Sequence, residues 1–287
     1  MADKTGKMPE RAHLCPFCKG LNSAGERRCY RCGRALPGPL VSAALDFVRD
    51  TLGSEAPMTR ALLGFCLLVC GLSVASDRRL PIWISDQFSG ATLLRFGALV
   101  GPLGAIEPWR YLAAVFVHMN VLHIGLNGWS LVAVGPTAER EFGSARFAVL
   151  FIVSGVLGFV VSDQWYGGAG PLTAGASGAI CGAFGSVVGV AYARRDSRWK
   201  QVLVQNLVNL AIIGFAFPVN NAAHVGGLVV GAGLGFLFDK ERRRFGLGKL
   251  AVALSAMLLA LVPLSVVLAN ASPFWRAERA RESAQQH

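Results

Sequence analysis

Two residues in the most apolar part of the chain have the chemistry for joint action. They are Ser177, in Gly175-Ala176-Ser177-Gly178, and His224, in Ala223-His224-Val225-Gly226-Gly227. A hydroxyl beside an imidazole is the smallest set of groups that supports nucleophilic catalysis, because the ring takes the proton that leaves the attacking oxygen. Both groups are costly in an apolar setting unless they find partners. The competing readings are a serine that caps its helix or bonds a carbonyl one turn back, and a histidine that only packs between helices. Ser130, Ser154 and Ser186 are assigned to that structural class. His123 and Asn127 lie four apart and so share one helical face. Each offers an N–H donor that could point at an oxyanion. His118 is five residues before His123, about 140° off that face in a continuous helix. It is placed ahead of the helix as a structural hydrogen-bonder. Zinc on His118, His123 and His224 is set aside, because the spacing is not HExxH and no glutamate stands nearby as a base. An acid to orient His224 is missing too. The nearest downstream carboxylate on its span is Asp239, roughly 22 Å along a helix. The expectation is therefore a Ser-His dyad.

The elements that must position these groups are two small-residue helices. After Ser177 small residues recur four apart, Gly178 with Gly182 and Gly185 with Gly189; after His224 come Gly227, Gly231 and Gly235. In apolar helices such spacing lets two backbones approach closely. The predicted contact of these helices presses Ser177 against His224. The run from Gly167 to Gly175 suits helix poorly, so the first of the two should begin at about Ser177. A helix start has free N–H groups and a positive dipole end.

Composition agrees with a membrane setting. Of 287 residues 53% are hydrophobic and only 16% charged, well below the ~25% charged of soluble domains. Seven spans are expected, at about 59–75, 120–136, 147–162, 176–193, 202–217, 222–238 and 250–269, with a polar tail after the last. Residues 77–118 are broken by Pro81, Gly97, Gly101, Pro102, Gly104 and Pro108 and are expected to form a half-embedded loop. The net charge of +11 is read as a topology signal. With the N-terminus inside, Arg140, Arg146, Arg194, Arg195, Arg198, Lys200, Lys240 and Arg242 all fall on inner loops, as the positive-inside rule asks; the long first loop, with Arg78, Arg79, Arg95 and Arg110, is the exception. Ser177, His224, His123 and Asn127 then converge below the outer surface, and the tail lies outside.

The first forty residues are a polar, basic head. Cys15-Pro16-Phe17-Cys18 and Cys29-Tyr30-Arg31-Cys32 form two CxxC pairs, a pattern suited to one tetrahedral zinc whose binding stabilises a unit too small to build a core. The alternative is two disulfides in an oxidising compartment. No signal peptide precedes the head, and its basic residues are read as topology determinants or lipid contacts rather than nucleic-acid ligands.

Taken in order, these motifs resemble the rhomboid intramembrane serine proteases over about residues 59–270. The carriers are His118-x4-His123-x3-Asn127, Gly175-Ala176-Ser177-Gly178, and Ala223-His224-Val225-Gly226-Gly227 with Gly231. Trp109-Arg110 is similar to the family's loop motif, and Glu139 with Gly143 to its glutamate and glycine after the second span. The resemblance implies an all-α six-helix core, here with one extra C-terminal helix. It implies Ser177 as nucleophile, His224 as base, and an oxyanion hole of His123, Asn127 and the Ser177 N–H. It implies cofactor-free cleavage of single-pass membrane proteins near their outer end, with the fifth helix and the loop after it as gate and lid. Two positions depart from the family. Cys181 stands where an aromatic often stacks on the base histidine, and Glu141 stands where a basic residue is common.

The expectation is thus an intramembrane serine endopeptidase in a cell (inner) membrane, N-terminus cytoplasmic. Its parts are a zinc ribbon (1–40), a linker (41–58), the rhomboid-like domain (59–270) and a polar tail (271–287). Its partners are the bilayer, single-pass substrates and a partner of the ribbon. The alternative is a catalytically silent rhomboid-like protein that binds or escorts membrane helices. A transporter is disfavoured by the absence of paired acids and inverted repeats.

Overall fold

A computed structural model of the chain describes residues 13–15, 20–23, 26, 28–36, 56–77, 86–216, 219–244 and 247–285. The linker up to residue 55, Cys18, Trp83 and Pro218 lie outside them. The chain divides into two compact units, Met1–Ser54 and Glu55–His287. In the first, β1 (His13–Leu14) pairs antiparallel with β2 (Leu21–Asn22). The second is all-α. Its helices are α1 (Pro57–Ser76), α2 (Gly90–Phe96), α3 (Leu103–Ile106), α4 (Arg110–Ala113), α5 (Val121–Phe142), α6 (Ser144–Trp165), α7 (Ser177–Ala193), α8 (Trp199–Ala216), α9 (Asn221–Arg244), α10 (Gly248–Ala271) and α11 (Phe274–Ala284).

Long helices stand at all seven expected spans. Four are long and apolar enough to cross a membrane by length and composition alone: α1, α6, α9 over Asn221–Arg242, and α10. Helix α7 is apolar but shorter, at 17 residues. It is packed by α9, α6, α5 and α8, and most of its side chains are buried. A helix hydrophobic all round belongs inside a bundle, and the small side chains of α7 let its neighbours close on it. The contact between α7 and α9 is backbone on backbone. A β-carbon on Gly227 would lie under 3.0 Å from the Gly178 carbonyl, one on Gly231 from that of Gly182, and one on Gly235 from that of Ser186. From the other side, Gly185 and Gly189 meet the carbonyls of Leu228 and Ala232 in the same way. The small-residue ladders read in the sequence are the seam of the bundle.

Three expectations change. The second span does not stop near Pro136; α5 runs through it to Phe142. Proline removes one donor and strains the preceding turn, which a membrane helix tolerates when neighbours pack there. Here α1 packs so closely that a β-carbon on Gly135 would lie 2.6 Å from Thr59 Cγ2. The extra turns carry Glu139, whose carboxylate accepts from Met58 N (2.9 Å), Thr59 N (2.8 Å), Thr59 Oγ1 (2.8 Å) and Ser144 Oγ (2.6 Å). One side chain thus caps α1 and closes the α5–α6 corner. The interrupted loop after α1 is less exposed than expected: Ala91, Leu93, Leu94, Phe96, Ala98 and Leu99 are buried. The polar tail is the helix α11, packed on α2, with Glu282 Oε1 accepting from Ala91 N at 3.2 Å.

The seam predicts opposite outcomes for two glycines of α9. Gly231→Val should destabilise the protein by about 3 kcal/mol through overpacking, read as a lowered thermal midpoint in detergent. Gly233→Ala, where nothing lies within 4 Å of an added carbon, should stay within about 0.5 kcal/mol of the parent.

Candidate active site

The seam brings the two reactive groups together. His224 Nε2 lies 2.7 Å from Ser177 Oγ. Ser177 is the first residue of α7, and no side chain caps that end. His224 sits in the first turn of α9 and is 4% exposed, while Ser177 is half-buried. His224 Nδ1 is buried and has no hydrogen-bond partner. Packing and the turn that carries the ring therefore orient it. Cys181, one turn after Ser177, is buried.

His123 and Asn127 are on one face of α5, as their spacing requires. His123 Nδ1 accepts from Met119 N at 3.3 Å. A neutral ring that accepts at Nδ1 carries its proton at Nε2, and that edge faces the start of α7. The sequence reading missed what makes this possible. Gly175 has φ +133°, in the region that favours glycine. A β-carbon there would lie 2.7 Å from His123 Cε1, 3.0 Å from His123 Nε2 and 3.8 Å from Ser177 Oγ. Gly175 therefore leaves the room that the His123 ring occupies beside the start of α7. Asn127 is buried and spends one amide N–H on its own helix, at His123 O (2.9 Å). The other N–H remains. His118 is fully buried, but neither ring nitrogen makes a hydrogen bond of good geometry. The expected structural hydrogen bond is replaced by an edge-on contact with the His123 ring, centroids 5.2 Å apart.

Two polar hubs hold the backbone around these groups. Arg110 is completely buried. Its Nε meets Glu107 Oε2 at 2.5 Å, and its NH1 donates to Leu94 O (2.8 Å) and Ala98 O (3.1 Å). It ties the end of α2 to the start of α4. Trp109, beside it, leaves its indole N–H without a partner. The second hub, Asn220, escaped the sequence reading. Its Oδ1 accepts from Ala223 N at 3.0 Å and caps α9 one residue before His224. Its Nδ2 reaches Ser162 Oγ (2.7 Å) at the end of α6 and Thr173 Oγ1 (3.1 Å) ahead of α7. Thr173 is itself paired with Leu99, N to O at 2.7 Å and O to N at 2.9 Å. An asparagine just before an apolar helix is an N-cap signal; its two further partners are tertiary and leave no trace in the spacing.

In the first unit, Cys15, Cys29 and Cys32 offer sulfurs within 4.8 Å of one another, and Cys15 Sγ is 3.7 Å from Cys32 Sγ. A tetrahedral zinc with bonds of about 2.3 Å would hold neighbouring sulfurs about 3.8 Å apart. The two cysteine turns repeat one hydrogen bond, Cys15 N to Gly20 O (2.8 Å) and Cys29 N to Arg34 O (2.9 Å). Buried Asn22 joins them, donating to Gly20 O at 2.8 Å and accepting from Tyr30 N at 3.1 Å. Among the described residues no disulfide joins two cysteines.

The chain is similar to several known proteins. Residues 105–241 match the Rhomboid domain family model. Rhomboid protease GluP of Bacillus subtilis is 35% identical over 147 residues, 49% of this chain and 28% of the relative. RHOMBOID-like protein 5 of Arabidopsis thaliana is 32% identical, over 51% of this chain and 49% of the relative. Rhomboid protease GlpG of Salmonella choleraesuis is 26% identical, over 66% of this chain and 65% of the relative. The chain spans about half or less of the length of the first of these relatives. Its apolar helices and these relatives mark the chain as a multi-pass membrane protein. Over residues 105–241 it is similar to the rhomboid family.

The Asn220 hub carries a prediction. Asn220→Ala removes a cap worth about 1 kcal/mol and leaves Ser162 and Thr173 without their partner. A loss of about 1–3 kcal/mol is expected in thermal or denaturant unfolding. Asn220→Asp, which keeps the cap oxygen, should recover part of it.

Proposed function

We propose that this chain is an intramembrane serine endopeptidase that cuts single-pass membrane proteins near their outer end. The observation that carries this is the 2.7 Å approach of His224 Nε2 to Ser177 Oγ across the α7–α9 seam. Ser177 Oγ attacks the scissile carbonyl as His224 Nε2 takes its proton. The carbon–nitrogen bond breaks, and His224 returns the proton to the leaving amine. Water, deprotonated by the same ring, then attacks the acyl ester and releases Ser177. Two charges must be met in this cycle. The imidazolium is countered by no carboxylate at Nδ1, which makes the unit a dyad. The oxyanion is met by the first-turn N–H groups of α7, by His123 Nε2–H and by the second N–H of Asn127. His118 keeps its structural role as the wall behind His123. No cofactor enters the reaction.

Substrate reaches the serine only if its own helix gives way, because a tight helix hides its carbonyls. Small, helix-weakening residues at the cut are therefore expected. Helix α8 and the segment joining it to α9 serve as gate and lid. The orientation that follows from the basic residues puts the N-terminus in the cytoplasm and the chain in the inner membrane of a cell. The head, residues 1–40, folds around one structural zinc on Cys15, Cys18, Cys29 and Cys32. It joins the membrane domain (59–270) through the linker 41–58 and offers a surface to a protein partner. The tail, 271–287, lies on the outer side.

Two measurements test these proposals. A fluorophosphonate probe should label the parent in membranes and leave Ser177→Ala unlabelled. Asn127→Ala should still label while losing about 10²–10³ in turnover on a tagged single-span substrate. Absence of Ser177-dependent labelling in folded protein would leave the silent binder as the reading. Metal analysis of the purified chain should give one zinc per chain, and Cys29→Ser should abolish it with dyad labelling intact.

A further inference from the structure

The end of the bundle away from Ser177 carries a second assembly that the proposed protease chemistry does not use. The α7–α8 turn and α9 enclose a cavity of about 430 Å³. Its walls include three aromatic rings, Tyr192, Trp199 and Phe236. Tyr192 stands edge-on to Trp199, centroids 5.4 Å apart, and 6.1 Å from Phe236. Arg195 and Lys240 complete the walls, with Lys240 Nζ 5.6 Å from the Phe236 ring centre.

These two cations line the cavity without a counter-charge among the described residues. Three neighbouring arginines at this end each have a carboxylate. Arg194 pairs with Glu141 and, at 2.8 Å, with Asp239; Arg146 pairs with Glu241 at 2.8 Å; Arg242 reaches Glu141 at 3.4 Å. Asp196, on the cavity wall, is held by both the main-chain N–H and the guanidinium of Arg198. Among the described residues, Arg195 and Lys240 have no carboxylate partner. Arg195 also has φ +58°, a left-handed backbone that costs a residue with a β-carbon and that glycine would adopt freely. This left-handed residue ends α7, with Asp196 N donating to Ala191 O (2.9 Å) and Arg195 N to Tyr192 O (3.0 Å), and it sets the Arg195 side chain at the cavity wall.

We propose that this cavity binds the headgroup of an anionic phospholipid. The phosphate sits between Arg195 and Lys240, and the glycerol and first methylenes lie on the aromatic rings. The location fits, because the cavity lies where membrane-spanning helices end, and aromatic rings with flanking cations are the usual furniture of headgroup depth. A neutral zwitterionic headgroup brings its own cation and gains less from two unpaired positive charges.

The test is native mass spectrometry of the full chain released from detergent after titration with dioleoyl phosphatidylglycerol, against dioleoyl phosphatidylcholine and against inorganic phosphate. Phosphatidylglycerol should bind at least fivefold more tightly than phosphatidylcholine. Arg195→Gln with Lys240→Gln should erase that preference, and Arg276→Gln with Arg279→Gln, at α11, should leave it intact. Arg195→Gly separates binding from folding: its thermal midpoint should hold or rise as strain is relieved while lipid preference falls. Equal binding of both lipids by the parent, or an unchanged preference in the double variant, would overturn the site. Full displacement of the lipid by millimolar phosphate would assign it to free phosphate instead.

Discussion

Everything in the membrane unit rests on two helix backbones touching without side chains between them. Lipid tails are as apolar as leucine, so burying an apolar face against another helix gains little inside a bilayer. Close packing does gain, because each atom pair at contact adds dispersion and each Cα–H can meet a carbonyl. Five glycines of the α7–α9 seam, three on α9 and two on α7, would each bring an added β-carbon under 3.0 Å from a carbonyl of the other helix. Such a seam has one register. A slip by one residue would set β-carbons of Ala179 or Leu228 against those carbonyls. The register therefore fixes where the first turn of α9 falls against the first residue of α7, and the serine–imidazole contact follows from it. Reactive geometry here is a by-product of backbone packing, which also explains how His224 can hold its place with Nδ1 unpartnered.

A close seam fixes two helices but not the irregular chain around them. That chain carries backbone groups which must be satisfied inside the protein. Buried polar side chains do this, each tying together segments far apart in sequence. Arg110 satisfies two carbonyls around the end of α2, Glu139 takes the free N–H groups at the start of α1, and Asn220 links α6, α9 and the segment before α7. Each is a case where removing one side chain would strand several partners. Arg110 is the most costly, because its charge is buried and is balanced by the single carboxylate of Glu107.

What could be read from the sequence divides along the same line. Periodic features were legible: the small-residue ladders, the apolar spans, the shared face of His123 and Asn127, the paired CxxC turns. Each repeats at a helical or knuckle spacing, so local geometry alone reports it. Single residues with tertiary partners were not. Gly175 looked like one more glycine in a flexible run, yet its missing side chain admits the His123 ring. Glu107 sits three before Arg110 and was passed over. The end of α5 was misplaced because proline is a local stop signal, whereas the requirement for Glu139 comes from α1, eighty residues earlier. His118 was given a hydrogen bond because a buried imidazole usually has one; the structure gives it a ring neighbour.

Glu141, at the end of α5, is where three helices are tied together by charge. Here Arg194 from the end of α7 and Arg242 from α9 both turn to Glu141, and Arg194 also holds buried Asp239. These pairs cross-link α5, the end of α7 and α9. An exposed pair of this kind contributes little by itself. Asp239, though, is 4% exposed, and a buried carboxylate gains more from a paired guanidinium than an exposed one does. That network lies at the end of the seam remote from Ser177. It closes the last turns of α7 and α9 at one end while Asn220 anchors the start of α9 at the other. The Ser177–His224 contact is thereby held by a helix pair pinned at both ends.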